Sequence, residues 1–238
     1  MEPSSFPFII KVCGLTREED ALAAAQWGAN ALGFVFVPGV SRAVEPEEAA
    51  ALMDRVRQVL GAACPWMVGV FAHQPPEEVQ RIADRCGLDV VQVHAPADAA
   101  FFRKLRAGQP KRQLWKAVAV DSHRPAQWLA DLAESPVDAF VLDAPKGGPS
   151  RPFDWDLMAV AQRPEVCGGR PVLLAGGLTA DNVAEAIRRT RPAGVDVSSG
   201  IESEVRRKDP RKMARFIQEA QRAAEELGRE KGKWPGKD

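Results

Sequence analysis

Read for apolar and polar positions, the chain repeats one unit. A short apolar run, rich in β-branched and aromatic residues, leads into a turn and then into an amphipathic stretch of helical period. Eight runs carry the strand pattern: Phe8–Cys13, Ala31–Val37, Trp66–Ala72, Asp89–His94, Leu114–Val120, Ala139–Ala144, Pro171–Ala175 and Val195–Ser199. Helices are expected near Arg17–Trp27, Pro46–Leu60, Pro76–Cys86, Asp98–Arg106, Pro125–Ala133, Asp154–Ala161 and Ala180–Thr190, with a last one from Pro210 into Glu226. Thr16 ahead of Glu19, and Thr179 ahead of Asp181 and Asn182, mark helix entries. Pro46, Pro76 and Pro210 suit first turns, where a missing N–H costs nothing. Gly28, Gly87 and Gly108 are expected to close helices by accepting a positive φ.

Strict alternation of strand and helix means parallel strands joined by crossover helices. The strand runs are nearly continuous in apolar residues, as strands buried on both faces must be. Eight such units in 238 residues predict a single α/β domain, a (β/α)8 TIM barrel over residues 8–227. Residues 1–7 are expected to be a disordered N-terminus and 228–238 a flexible, glycine- and lysine-rich C-terminal tail. An open doubly wound sheet is the alternative. It more usually has a G-x-G-x-x-G turn after its first strand, where this chain reads CGLTRE.

Composition narrows the chemistry. Lysine plus arginine equals aspartate plus glutamate at 32 each, a balance that argues against a nucleic-acid surface. No run approaches the roughly 18 apolar residues of a membrane helix, and the N-terminus lacks the pattern of a signal peptide. Four scattered cysteines and three scattered histidines give neither a zinc-ligand spacing nor a disulfide framework. The expected location is cytoplasmic, with reduced thiols and no bound metal.

In a barrel of this kind the chemistry sits at the C-terminal strand ends. Two groups there can move protons at neutral pH without a metal: Cys13 on the first strand and Asp143 on the sixth. Gly176 and Gly177 end the seventh strand, and Ser199 and Gly200 the eighth, where barrels often cradle a phosphate. Arg42, in the loop after the second strand, could hold a carboxylate with two parallel hydrogen bonds. His94 and His73 are candidates to line the pocket.

The segments KVCGLTREEDALAAAQWGANALGFVF, VGVF, Val91-Gln92-Val93-His94, Leu142-Asp143, Phe153-Asp154-Trp155, LLAGGLTADNV and GVDVSSGIES together resemble phosphoribosylanthranilate isomerase, in order, from about Ile9 to Phe216. That resemblance implies an isomerase of tryptophan biosynthesis. Its reaction is the Amadori rearrangement of N-(5′-phosphoribosyl)anthranilate to 1-(2-carboxyphenylamino)-1-deoxyribulose 5-phosphate, with no cofactor. By position it implies Asp143 as general acid, Cys13 as general base, Arg42 on the anthranilate carboxylate, and the AGGL and SSG ends as phosphate loops. The implied partner is this phosphosugar-anthranilate alone, with neither nucleic acid nor membrane, on a monomer or homodimer. The chain departs from the family pattern at His73, Ala95, Pro149-Ser150-Arg151 and Val205-Arg206. Two other readings stand beside it: another phosphosugar barrel enzyme, or a non-catalytic phosphosugar-binding paralogue.

Overall fold

The computed structural model describes residues 7–94, 97–108, 110–120, 128–130, 132, 135–144 and 154–230. Eight strands form a closed barrel in chain order: β1 (Ile9–Val12), β2 (Ala31–Val35), β3 (Trp66–Phe71), β4 (Val90–Val93), β5 (Gln113–Ala119), β6 (Ala139–Asp143), β7 (Val172–Leu174) and β8 (Gly194–Val197). All pair in parallel. β8 returns to β1 from Ile9 opposite Gly194 to Val12 opposite Val197, which closes the ring. The described helices are α1 (Glu18–Trp27), α2 (Pro46–Leu60), α3 (Pro76–Arg85), α4 (Ala99–Gly108), α5 (Asp156–Ala161), α6 (Pro164–Cys167), α7 (Val183–Thr190) and α8 (Pro210–Glu230).

Alternation along each strand divides the core in two. Ile9, Ala31, Val68, Val90, Trp115, Ala139, Val141 and Leu173 point inward and fill the lower barrel. Ile10, Val12, Leu32, Phe34, Val91, Val93, Phe140 and Leu142 belong to the larger cluster between barrel and helices. Three buried polar residues interrupt these apolar strands. Lys11 and Gln92 share the inward faces, whereas Lys116 alternates with the outward Leu114 and Val118. Lys116 donates to the Ala97 carbonyl at 3.1 Å and to Ser135 Oγ at 3.0 Å.

The structure corrects several local expectations. Thr16 does not cap α1: its hydroxyl donates to the Arg206 carbonyl at 3.0 Å, and the cap residue is Arg17, without a side-chain bond. Thr179 does mark a helix entry: its N–H donates to Asn182 Oδ1 at 2.8 Å, and its Oγ1 accepts from Asp181 N at 3.2 Å. Gly28 and Gly87 are left-handed as expected, but Gly108 is not, and lies within the last turn of α4. A short helix, α6, follows α5 and begins at Pro164. The final helix runs to Glu230, past the expected boundary at residue 227. A hairpin of β9 (Glu202–Glu204) and β10 (Arg207–Lys208) follows β8; its strands are too short and charged to show a strand pattern. Of the helix expected at Pro125–Ala133, residues 128–130 and 132 are described and helical. Residues 1–6 and 231–238, Ala95 and the Pro149-Ser150-Arg151 segment lie outside the described residues.

Candidate active site

The C-terminal strand ends converge on a cavity of about 320 Å³, within the range of small-molecule sites. Of the residues expected there from the sequence, Cys13, Asp143, Arg42, His94, Gly176, Gly177, Ser199 and Gly200 line it. Val35, Val70, Val40 and Ala175 supply its apolar wall. His73 does not reach it and is exposed; its neighbour Gln74 turns inward instead, accepting from Ala72 N at 3.0 Å and donating to the Phe36 carbonyl at 2.5 Å.

Cys13 is placed by the barrel seam. Its backbone N–H donates to the Val197 carbonyl of β8 at 2.8 Å, and Leu15 N donates to Gly33 O at 3.0 Å. Gly14 makes the turn between them with φ +71°. A Cβ there would lie 2.5 Å from Arg42 Cδ and 2.9 Å from Ser198 Oγ, so glycine lets three cavity walls meet. Burial pushes the Cys13 thiol up from its ordinary value, and the Lys11 ammonium opposes that rise.

Below the thiol lies a buried ion pair that joins β1 to β8. Lys11, fully buried, donates to Asp196 Oδ2 of β8 at 2.7 Å. Burial raises the Asp196 carboxyl while Lys11 pulls it down, and Asp196 Oδ1 has no hydrogen-bond partner among the described residues. An aspartate within the apolar run Gly194–Val197 was the available clue.

Arg42 is not a loose loop cation. Its Nε donates to Glu202 Oε1 at 2.8 Å and its Nη2 to Oε2, a two-point contact anchored in β9. That hydrogen bond raises the guanidinium's already high pKa. Glu202 also faces Lys208 Nζ at 3.2 Å, and Lys208 donates to the Ser198 carbonyl at 3.0 Å. Lys208 is thereby desolvated, which lowers its pKa, with Glu202 working the other way. The Lys208 backbone N–H donates to Asp20 of α1 at 3.1 Å. The hairpin thus fixes Arg42 at one rim of the cavity, a role invisible in its charged sequence.

Across the mouth Asp143 ends β6, half-buried, its Oδ1 accepting from Ala144 N at 2.8 Å. Asp143 thus bonds its own loop and also lines the cavity. His94 follows β4, and the buried Gln92 amide hydrogen-bonds its Nε2 at 2.7 Å, fixing the ring. The loops after β7 and β8 pack face to face. Gly176 and Gly177 have φ of +77° and +66°, and a Cβ on Gly200 would lie 1.9 Å from the Leu178 carbonyl. Asn182 donates to the Gly177 carbonyl at 3.0 Å and braces the first of these loops. Among the described residues no three His, Cys, Asp or Glu side chains cluster as a metal site, and no helix is long and apolar enough to cross a membrane.

The family model for N-(5′-phosphoribosyl)anthranilate (PRA) isomerase matches residues 10–219. The N-(5′-phosphoribosyl)anthranilate isomerase of Citrifermentans bemidjiense is 41% identical over 219 residues, covering 90% of this chain and 98% of the relative. The crystal structure of phosphoribosyl anthranilate isomerase from Thermotoga maritima superposes with a TM-score of 0.77 at 34% identity, covering 90% of this chain and 98% of that one. A crystal structure of phosphoribosyl anthranilate isomerase in complex with reduced 1-(o-carboxyphenylamino)-1-deoxyribulose 5-phosphate gives 0.75 at 32% identity, with the same coverage. With its eight-stranded barrel and a cavity lined by Cys13, Asp143 and Arg42, the chain belongs to the N-(5′-phosphoribosyl)anthranilate isomerase family.

Proposed function

We propose that the protein isomerises N-(5′-phosphoribosyl)anthranilate to 1-(o-carboxyphenylamino)-1-deoxyribulose 5-phosphate in tryptophan biosynthesis, with Asp143 as acid and Cys13 as base. The observation that carries the role assignment is the convergence of a thiol, a carboxyl, an anchored arginine and two glycine loops on one cavity. A paralogue that only binds phosphosugars would have no need of either proton-transfer group.

The substrate's two anionic ends suit opposite parts of the wall. Backbone N–H groups of the loops at Gly176–Gly177 and Ser199–Gly200 suit the phosphate. Arg42 spends two donors on Glu202 and keeps three N–H bonds of its fork for the anthranilate carboxylate. Asp143 then gives its proton to the ribose ring oxygen, the C1′–O bond breaks, and the anilino nitrogen supplies the electron pair of a Schiff base. The Cys13 thiolate removes the C2′ proton. Those C–H electrons form C1′=C2′ and the imine pair returns to nitrogen. The enol O–H loses its proton and C1′ gains one, giving the ketone. Passage of one proton from the Cys13 thiol to the Asp143 carboxylate through solvent restores the enzyme. Acid and base are each worth about 10²–10⁴ in rate.

The test generates the substrate in situ and follows loss of anthranilate-type fluorescence. Cys13→Ala and Asp143→Ala should each lower kcat by about 10² or more. Arg42→Ala should instead act chiefly on KM. Turnover undiminished in both Cys13→Ala and Asp143→Ala would rule the mechanism out.

A further inference from the structure

We propose that Lys11 and Asp196 form a built-in charge pair that sets the protonation of Cys13, with Lys11 as the positioning residue of the base. The proposal rests on the reading of Cys13 as base and deepens it.

The geometry begins with strand alternation, which puts Lys11 and Cys13 on the same inward face of β1. Opposite them β2 carries Gly33. A Cβ there would lie 2.9 Å from Cys13 Sγ and 3.1 Å from Lys11 Cε, so ammonium stem and sulfur share the bare surface that this glycine leaves. From the other side β8 brings Asp196, whose Oδ2 holds the Lys11 ammonium at 2.7 Å. Lys11 is thus a buried cation pinned beneath the thiol by a carboxylate from the far end of the chain.

A purely structural ion pair would be an expensive choice here. Two charges removed from water cost several kcal/mol each unless every lone pair is satisfied, and a hydrophobic pair often does better. Asp196 Oδ1 is not satisfied among the described residues, and Asp196 lines the cavity. The pair is therefore open on the side where substrate enters. Its two members act on the sulfur with opposite sign: Lys11 favours the thiolate and Asp196 disfavours it, while burial, the largest influence, favours the neutral thiol. Lys208 and Arg42 add positive charge from the hairpin side, and Asp143 and His94 complete the ionisable lining.

The experiment measures the rate of Cys13 alkylation by iodoacetamide against pH, read by mass spectrometry on the Cys13 peptide in the full-length protein. Lys11→Met should move the midpoint up by about one unit or more, slowing alkylation about tenfold at a fixed lower pH. Asp196→Asn should move it down, and Lys11→Arg should hold it near the parent. Lys11→Met should also lower kcat with KM little changed, and the acid limb of its pH–rate profile should follow the alkylation midpoint. Midpoints that stay put, or that move the same way in Lys11→Met and Asp196→Asn, overturn the proposal. If Lys11→Met does not fold, the downward shift in Asp196→Asn decides alone. A shifted midpoint with unchanged kcat would uphold control of the thiol by the pair and overturn Lys11 as positioning residue of a base, together with the base assignment itself. Inactive parent protein with shifted midpoints would overturn the proposed function instead.

Discussion

Gly14 shows how tightly a single residue can tie the site together. Its left-handed turn follows the thiol, and its missing side chain lets Arg42 Cδ and Ser198 Oγ close over it. Alanine there would strain the backbone by about 1–3 kcal/mol and force Arg42 outward. Gly14→Ala should therefore lower Tm by about 2–12 °C, at roughly 2–4 °C per kcal/mol for a domain of this size, and raise KM more than it lowers kcat. Thermal melts and steady-state kinetics on the same preparation check both parts. Arg206 makes the complementary point. It is a non-glycine residue at φ 74°, in a turn where the resemblance leads one to expect Pro-Gly. Its guanidinium donates to the Ser41 and Ala43 carbonyls at 3.2 and 3.1 Å, on either side of Arg42. The departure from the family pattern exchanges backbone ease for a clamp on the loop that carries Arg42.

The elements divide by how they announce themselves. The β-strands and longer helices were legible because burial on both faces forces continuous apolar runs and amphipathic helices follow them: α2 begins and ends at Pro46 and Leu60 as its pattern predicts. The site was legible to the extent that this fold places chemistry at strand ends. The hairpin was not, since Glu202, Lys208 and Arg206 owe their positions to ion pairs and carbonyls far away in sequence. Nor was the exposure of His73, because Gln74 takes the inward place beside it. At this scale the Glu202 carboxylate is the keystone of β9 and β10. Burial works against its ionisation, yet the Arg42 hydrogen bond and the Lys208 charge outweigh burial and hold it below the usual glutamate value. A carboxyl lowered by folding stabilises the fold fully above its unfolded pKa of about 4.3 and loses that contribution as pH falls through the folded value. Glu202→Gln should cost about 3 kcal/mol at pH 7, the lower end for a broken buried pair because Arg42 is partly exposed. The gap in urea midpoint between parent and variant should shrink below about pH 4. A gap unchanged down to pH 3 would remove the charge argument.

For the whole molecule the decisive contact is the seam. Lys11 and Asp196 are 185 residues apart in sequence and meet only because β8 pairs with β1. Such long-range pairing is slow, because chain entropy is lost before contacts reward it. In refolding from urea, isomerase activity should return no earlier than the last phase of tryptophan fluorescence, to which the fully buried Trp115 on β5 contributes. Activity that recovers while that signal is still changing would contradict a site built across the seam. The buried thiol carries a further consequence. Sulfur as a proton acceptor brings a liability that a carboxylate lacks, since peroxides attack the thiolate and can carry it to irreversible acids. Cys13 is buried where it lines the cavity, and that burial pushes its thiol up and so favours the neutral form that oxidants attack slowly. The burial that makes this thiol harder to ionise also lets it last.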